Sequence, residues 1–247
     1  MRKFLCELQF NGKNYFGYQI NENAKTVQQE LQTALKKLFD KEIVAEGCSR
    51  TDSGVSAWQY YFCFCADTKL PADRVAYKLN RFLPKDIQCQ NSREVPVDYN
   101  LRQKVKSKSY LYKIYDGEHL QPLLNRDAVF VEGELSVEQM QDCAKVLLGK
   151  HNFKSFCNIN ADTKTFVRTI YNIDVVKEKN LIKILITADG FLYNMCRVIA
   201  GTLVECGKGK LNKQDLQNLL SVKDRSKNRA KTMPAKALVL HSVNLQN

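Results

Sequence analysis

The segment from Trp58 to Cys65 is apolar along both of the faces that a β-strand presents, because alternate side chains of a strand point to opposite sides. One face would carry four aromatic residues, which are Trp58, Tyr60, Phe62 and Phe64. The other face would carry Gln59, Tyr61, Cys63 and Cys65. A strand with two apolar faces needs cover on both sides, so this segment predicts the central strand of a sheet that is packed by helices.

Around this strand, the hydrophobic periodicity predicts two halves with a similar order of strands and helices. The predicted strands cover residues 3–10, 42–48, 58–65, 87–95, 104–115, 168–176, 181–188 and 236–243. The predicted helices cover residues 27–39, 71–81, 137–148, 191–206 and 211–222. This order predicts an α+β fold with mostly antiparallel sheets, helices on one side and the other side free for a ligand. The least patterned stretch, 96–103, predicts a boundary between halves 1–100 and 101–247.

The charge balance indicates a polyanionic partner. The chain has 38 Lys and Arg against 26 Asp and Glu, a net charge of +12, and the basic residues are spread along its length. Nucleic acid is the simplest partner for such a chain, although a basic surface that only maintains solubility would give the same balance.

The cysteines and histidines indicate neither a metal site nor a disulfide framework. Nine cysteines occur without a C-x-x-C pair, and the three histidines are far apart. Unpaired thiols in this number predict a reducing compartment, the cytoplasm. We also expect no signal peptide and no membrane span, since Glu7 and Asn11 interrupt the apolar start and no apolar run is long enough.

A turn precedes the central strand, and it carries the most reactive group of the region. Asp52, Ser53 and Gly54 are ordinary turn residues, because Asp can bond its own backbone and Gly accepts a positive φ. Loops held by a rigid scaffold are also where reactive groups are commonly mounted. Taken alone, the ordinary turn is the favoured interpretation.

Three other positions allow both a structural and a functional interpretation. Tyr15, Phe16 and Tyr18 could stack on bases or belong to the core. The predicted strand 104–115 carries lysines followed by tyrosines along one face, which suits RNA but also suits a solvated surface. Arg197 lies among apolar residues of a helix and either pairs with an anion or extends to water.

Several motifs resemble, in chain order, those of the TruA-type tRNA pseudouridine synthases. The segment Arg50 to Ala57 resembles R-T-D-A-G-V-H-A, and Phe191 to Arg197 resembles F-L-H-H-M-V-R. Six further segments also match. In the first half, Tyr15–Gln19 resembles Y-x-G-W-Q, Thr26–Leu31 resembles T-V-Q-x-x-L, and Leu79–Pro84 resembles N-x-x-L-P. In the second half, Lys108–Tyr112 resembles K-x-Y-x-Y, Leu147–Phe156 resembles L-L-G-x-H-D-F-x-S-F, and Thr232–Ala235 resembles T-A-P-A. Each match is weak alone, whereas the ordered set is specific.

The resemblance implies the pseudouridine synthase fold with a basic RNA-binding cleft, and isomerisation of uridine on the 3′ side of the tRNA anticodon stem-loop. It implies Asp52 as nucleophile, Arg197 as the cation that keeps it ionised, and Tyr110 as a stacking partner of the target base. It also implies that Arg50 either replaces the flipped base or holds the RNA backbone. The RNA contacts that we expect are Lys106, Lys108, Tyr18, Gln19, Arg225, Lys227 and Arg229. The family chemistry uses no metal and no redox cofactor, and its members are homodimers.

Four departures from the family pattern occur, at Tyr18, Ser49, Ser53 and Ser56. They affect which uridines are modified and how RNA is held near the turn. Two other functions remain open from the sequence. One is a tRNA-binding protein without catalysis, and the other is a hydrolase with an aspartate nucleophile, which usually needs Mg²⁺ and several acids.

Overall fold

A computed structural model describes residues 1–246 and contains ten strands and six α-helices within them. The strands are β1 Arg2–Phe10, β2 Glu46–Gly47, β3 Ser56–Ala66, β4 Ile87–Val95, β5 Val105–Gly117, β6 Val129–Glu132, β7 Gly149–Asn152, β8 Val167–Glu178, β9 Leu181–Ala188 and β10 Leu238–Leu245. The helices are α1 Val27–Phe39, α2 Val75–Leu79, α3 Leu101–Lys104, α4 Val137–Ala144, α5 Met195–Gly207 and α6 Lys213–Val222.

The α+β class is confirmed, and several helices and strands begin and end close to the residues that local sequence signals predicted. Thr26 caps α1 by accepting a hydrogen bond from the N–H of Gln29, as its capping box predicts. Other bounds differ: α5 begins at Met195 rather than at residue 191, and strands β6 and β7 were not predicted. The predicted strand 42–48 shrinks to the two residues of β2.

The chain forms two compact units. The first contains residues 1–106 and 240–246, and the second contains residues 107–239. The boundary therefore lies six residues after the predicted one, at Lys106, and the end of β10 returns to the first unit. Hydrophobic patterns indicate elements but not which sheet a late strand joins, since that depends on pairing far along the chain.

The sheet of the first unit has the order β4, β1, β3, β10, with β2 paired to β3. The β1–β3 and β1–β4 pairs are antiparallel. Helices α1 and α2 cover the face that carries Phe64: the ring of Phe39 on α1 lies 5.7 Å from that of Phe64, and the N–H of Ala76 on α2 donates to the hydroxyl of Ser92. Strand β3 is central, as its apolar pattern predicted.

A β-bulge changes which face the start of β3 presents. Leu8 pairs with Tyr60 and Phe10 pairs with Ala57, so β3 has one residue more than β1 in this interval. Tyr60 is fully buried on the helix-covered face, whereas Trp58 is 47% exposed. The prediction that Trp58 shares a face with Tyr60 is therefore wrong, because the bulge breaks the alternation between them.

The second unit has the strand order β5, β9, β8, β7, with β6 beside β5. The main pairs are antiparallel, and β5–β6 is parallel. Tyr110 and Tyr112 on β5 pair with Ile186 and Ile184 on β9, and all four side chains are buried. The rings of Tyr110 and Tyr112 are therefore largely shielded from water, with 7% of Tyr110 exposed, while Lys106 at the start of the strand is exposed.

Candidate active site

Asp52 lies on the loop of residues 48–55, the carboxylate loop, which connects β2 to β3 in the first unit. Its side chain is half-buried, and Arg50 on the same loop is exposed. The carbonyl of Asp52 accepts a hydrogen bond from the N–H of Val55 at 3.2 Å, and Gly54 between them has a φ of +80°. The turn that the Asp-Ser-Gly sequence predicts therefore forms, and the carboxylate is mounted on it.

A second loop, residues 11–18, packs against the carboxylate loop and is hydrogen-bonded to it. The N–H of Gly54 donates to the carbonyl of Tyr15 at 3.0 Å. The N–H of Gly12 donates to Oγ of Ser56 at 3.0 Å. Ser56 is one of the four departures, and its hydroxyl supplies the acceptor that this N–H needs. The Tyr15 hydroxyl donates to Asp86 at 2.7 Å, which fixes the supporting loop in turn.

Two glycines allow the two loops to touch. A Cβ on Gly12 would lie 1.9 Å from the carbonyl oxygen of Val55, and a Cβ on Gly17 would lie 2.3 Å from that of Thr51. Gly17 also has a φ of +83°, which other residues rarely adopt. The supporting role of these glycines was not predicted, although Asn11-Gly12 and the Y-x-G motif marked both positions as turns.

Tyr18 belongs to the core and not to the RNA surface. Its side chain is 3% exposed, and its ring stacks on that of Tyr60 with 4.5 Å between centroids. Burial raises the pKa of Tyr18 well above its usual value, so the phenol stays protonated. The hydroxyl of Tyr60 in turn donates to the carbonyl of Ser49 in the carboxylate loop. The expected RNA contact by Tyr18 is thus corrected, whereas Gln19 is exposed.

Tyr110 and Arg197 lie in the second unit. The Tyr110 ring meets Phe191 edge to face, with 4.9 Å between centroids, and 7% of the residue is exposed. Arg197, in the first turn of α5, donates from Nη1 to Asn194 at 2.8 Å and from Nε to the carbonyl of Met233 at 2.6 Å. These two bonds fix the plane of the guanidinium.

The segment around Met233 is hydrogen-bonded both to Arg197 on α5 and to Tyr112 on β5. Its N–H donates to the carbonyl of Arg197 at 3.2 Å, and the next carbonyl, of Pro234, accepts from the hydroxyl of Tyr112 at 2.8 Å. Burial raises the pKa of Tyr112 although the positive charge of Arg197 acts in the opposite direction, so Tyr112 remains a donor. The Thr-Met-Pro-Ala motif therefore joins β5 to the arginine of α5.

The basic loop, residues 223–231, is held firmly to α5. Buried Asn228 donates to Thr202 on α5 at 3.1 Å, and a Cβ on Gly201 would lie 2.1 Å from the carbonyl oxygen of Lys231. Arg225 donates to the carbonyls of Asn228 and Ala230, and burial lowers its pKa. Arg225 therefore shapes this loop from within, which corrects the expectation that it contacts phosphate.

Of the cations expected to contact RNA, Lys227 and Arg229 on the basic loop and Lys106 on β5 are exposed, while Lys108 is half-buried. In residues 1–246, no group of three or more His, Cys, Asp or Glu side chains is placed to hold a metal ion. The nine cysteines are free thiols, and eight of them are buried. None of the helices in the described part of the chain is long and apolar enough to cross a membrane.

Comparison with known proteins finds a matching family model and similar proteins that align with nearly the full length of this chain. The family model for tRNA pseudouridine synthase matches residues 8–102 and 143–245. The chain is 42% identical to "tRNA pseudouridine synthase A" of Ruminiclostridium cellulolyticum, over 97% of this chain and 98% of that protein. It is 39% identical to the protein of the same name from Acetivibrio thermocellus, over 98% and 99% of the two chains. The corresponding protein of Caldicellulosiruptor bescii is 38% identical with the same coverage.

Proposed function

The chain belongs to the tRNA pseudouridine synthase family, and from that premise we propose that it isomerises uridine to pseudouridine on the 3′ side of the tRNA anticodon stem-loop, with Asp52 as nucleophile. The observation that carries this assignment is the carboxylate loop, where the family's R-T-D-x-G-V sequence holds a half-buried aspartate on a turn fixed by the backbone of a second loop. A binding protein has no evident need for such a fixed carboxylate.

The reaction breaks the bond between N1 of uracil and C1′ of ribose and forms a bond from C5 to C1′. N1 gains a proton and C5 loses one, so the product has the same atoms as the substrate and no electrons are exchanged with another molecule. An ionised carboxylate can carry one fragment as a covalent intermediate while the base rotates. A half-buried position on a rigid turn suits Asp52 to this role, because a preorganised nucleophile does not need to be ordered in the transition state.

We assign Arg197 to the ionisation of Asp52 and Tyr110 to packing against the target base. In support, the guanidinium of Arg197 has a fixed plane, and a neighbouring cation favours the charged form of a carboxylate. The edge-to-face contact with Phe191 fixes the orientation of the Tyr110 ring. Arg50, exposed on the carboxylate loop, is assigned to the space that the flipped uridine leaves in the RNA stack.

The function is tested by incubating the full chain with unmodified transcripts of several tRNAs in the presence of EDTA and mapping pseudouridine along each product. We expect modification confined to the 3′ side of the anticodon stem-loop. A chain that binds these transcripts tightly and modifies none of them would be a tRNA-binding protein. Product that forms only when Mg²⁺ is restored would contradict the metal-free reaction, provided that the tRNA is shown to stay folded in EDTA.

Exposed Lys227 and Arg229 should contact phosphate, and their removal should reduce the salt dependence of tRNA binding. We expect the double variant Lys227→Gln/Arg229→Gln to lower affinity and to reduce the slope of log K against log salt by about 1 to 2, since each phosphate contact contributes about 0.7 to 0.9. The matched control is Lys37→Gln/Lys41→Gln, which removes the same charge at exposed positions at the end of α1. Equal slopes for the two double variants would contradict the assignment.

We further propose that the chain acts as a homodimer, as its family does. Sedimentation velocity at micromolar concentration should give a mass near twice the 28.4 kDa of one chain. A monomer at all concentrations that support activity would contradict this.

A further inference from the structure

Trp58 lies two residues into β3, directly after the carboxylate loop and outside the family motif that ends at Ala57. A strand rises about 3.3 Å per residue, so the Cα of Trp58, three residues after Val55, is about 10 Å from the end of the loop. Nearly half of the residue is exposed, at 47%. A large aromatic ring at the surface of a basic chain, beside a candidate nucleophile, has no role in the function described above.

The bulge in β3 is what brings this ring to the surface. Without the extra residue, Trp58 would share the buried, helix-covered face with Tyr60. With it, Trp58 lies on the opposite face, which α1 and α2 leave uncovered. Bulges commonly re-aim side chains next to functional sites.

The ring of Trp58 packs on one side against His241 of β10. The imidazole of His241 on β10 lies 5.3 Å from it between centroids, with 58° between the planes. The next residue, Gln59, accepts a hydrogen bond from the N–H of Val243 at 3.1 Å, which ties the start of β3 to the same strand. A ring that is held in place loses little further freedom when a ligand stacks on it.

The surroundings favour a nucleobase over a protein partner. Ser56 and Gln59, its neighbours along β3, and His241, which contacts the ring, are all polar and half-exposed, which favours a single flat surface over a wide apolar patch. Aromatic rings stack on bases of any sequence, whereas a stable protein contact needs a wide complementary area.

We propose that Trp58, supported by His241, forms a stacking platform for an unpaired base of the RNA substrate next to the target uridine. This inference rests on the proposed function, because it takes the substrate to be RNA. Its expected effect is on binding and on KM, since the platform contacts a neighbouring base and not the reacting atoms.

Trp58 is the single tryptophan of the chain, so its fluorescence reports on this position alone. Unmodified tRNA transcript is titrated into the wild-type protein, with N-acetyltryptophanamide as the correction for light absorbed by RNA. We expect strong quenching that saturates at the same RNA concentration as a gel-shift assay. Unchanged fluorescence at RNA saturation, with product still formed, would overturn the platform and leave the proposed function intact. No binding and no product would instead overturn the proposed function.

A substitution series gives an independent test. Trp58→Leu should raise Kd for tRNA and KM by about tenfold or more with kcat little changed, and Trp58→Phe should restore most of the loss. The control is Tyr77→Leu on α2, where an aromatic residue is 60% exposed on the helix side of the same unit. Equal Kd values for Trp58→Leu and wild type would overturn the proposal. So would a wild-type fluorescence that changes with protein concentration in the absence of RNA, since that places Trp58 in a protein contact.

Discussion

Asp52→Asn should abolish pseudouridine formation, with an expected loss of at least about a thousandfold in the single-turnover rate, while the Kd for tRNA should change by less than about threefold. Asparagine keeps the size and the turn geometry of the residue but removes the nucleophilic oxygen anion, and loss of a covalent nucleophile usually costs this much or more. The rate is measured as tritium released from tRNA labelled at C5 of uridine, because that hydrogen leaves only when the new carbon bond forms.

The matched control is Asp67→Asn, which makes the same change at an exposed position after β3 and should keep the wild-type rate. Asp52→Ala should be as inactive as Asp52→Asn, which excludes activity recovered by deamidation. If Asp52→Ala retains more than a few per cent of the wild-type rate, Asp52 is not the nucleophile and the role belongs to another group.

Gly17→Ala should be strongly damaging although Gly17 is not one of the reacting residues. The new methyl group would lie 2.3 Å from the carbonyl oxygen of Thr51, which directly precedes Asp52. Because a Cβ is fixed to the backbone and its partner is a backbone oxygen, one loop must move, and a displacement of about 1 Å at the nucleophile costs about a hundredfold in rate. We expect that loss in kcat, together with a fall in Tm of about 5 °C or more.

Gly133 provides a control with the same backbone strain and no clash. Its φ is +84°, against +83° at Gly17, but no atom lies within 4 Å of the Cβ that an alanine would add. Gly133→Ala should therefore lower Tm by a few degrees through left-handed strain and leave kcat unchanged. If Gly17→Ala and Gly133→Ala behave alike in both measurements, close contact between the two loops is not what positions Asp52.

In this protein, sequence patterns predict the bounds of individual helices and strands better than they predict which face of a strand each side chain occupies. The capping box of Thr26 and the apolar stripe of α1 act within one helix, so its bounds could be read directly. The orientation of Trp58 could not be predicted, because the bulge exists only in the pairing of β3 with β1. A single inserted residue reverses every face assignment on one side of it.

In the candidate site too, local features could be predicted from the sequence, whereas contacts between residues distant in the chain could not. The motif around Asp52 predicted a turn, and that turn is present in the carboxylate loop. Tyr18 and Arg225 looked like RNA contacts because aromatic and basic residues in loops suit that role, yet both are used inside the protein. Whether a side chain points inward depends on neighbours distant in sequence, such as Tyr60 for Tyr18, and no local pattern contains that information.

The return of β10 to the first unit sets the order in which the protein can be completed during translation. Strand β3 can pair with β1 and β2 early, but it lacks β10 until residues 240–245 have been synthesised, more than 100 residues after Lys106. Until then the nascent chain exposes an unpaired strand edge next to the carboxylate loop, a surface that pairs readily with other chains. His241, the residue behind Trp58, arrives with the same strand, so the ribosome must finish the second unit before the first has its complete sheet.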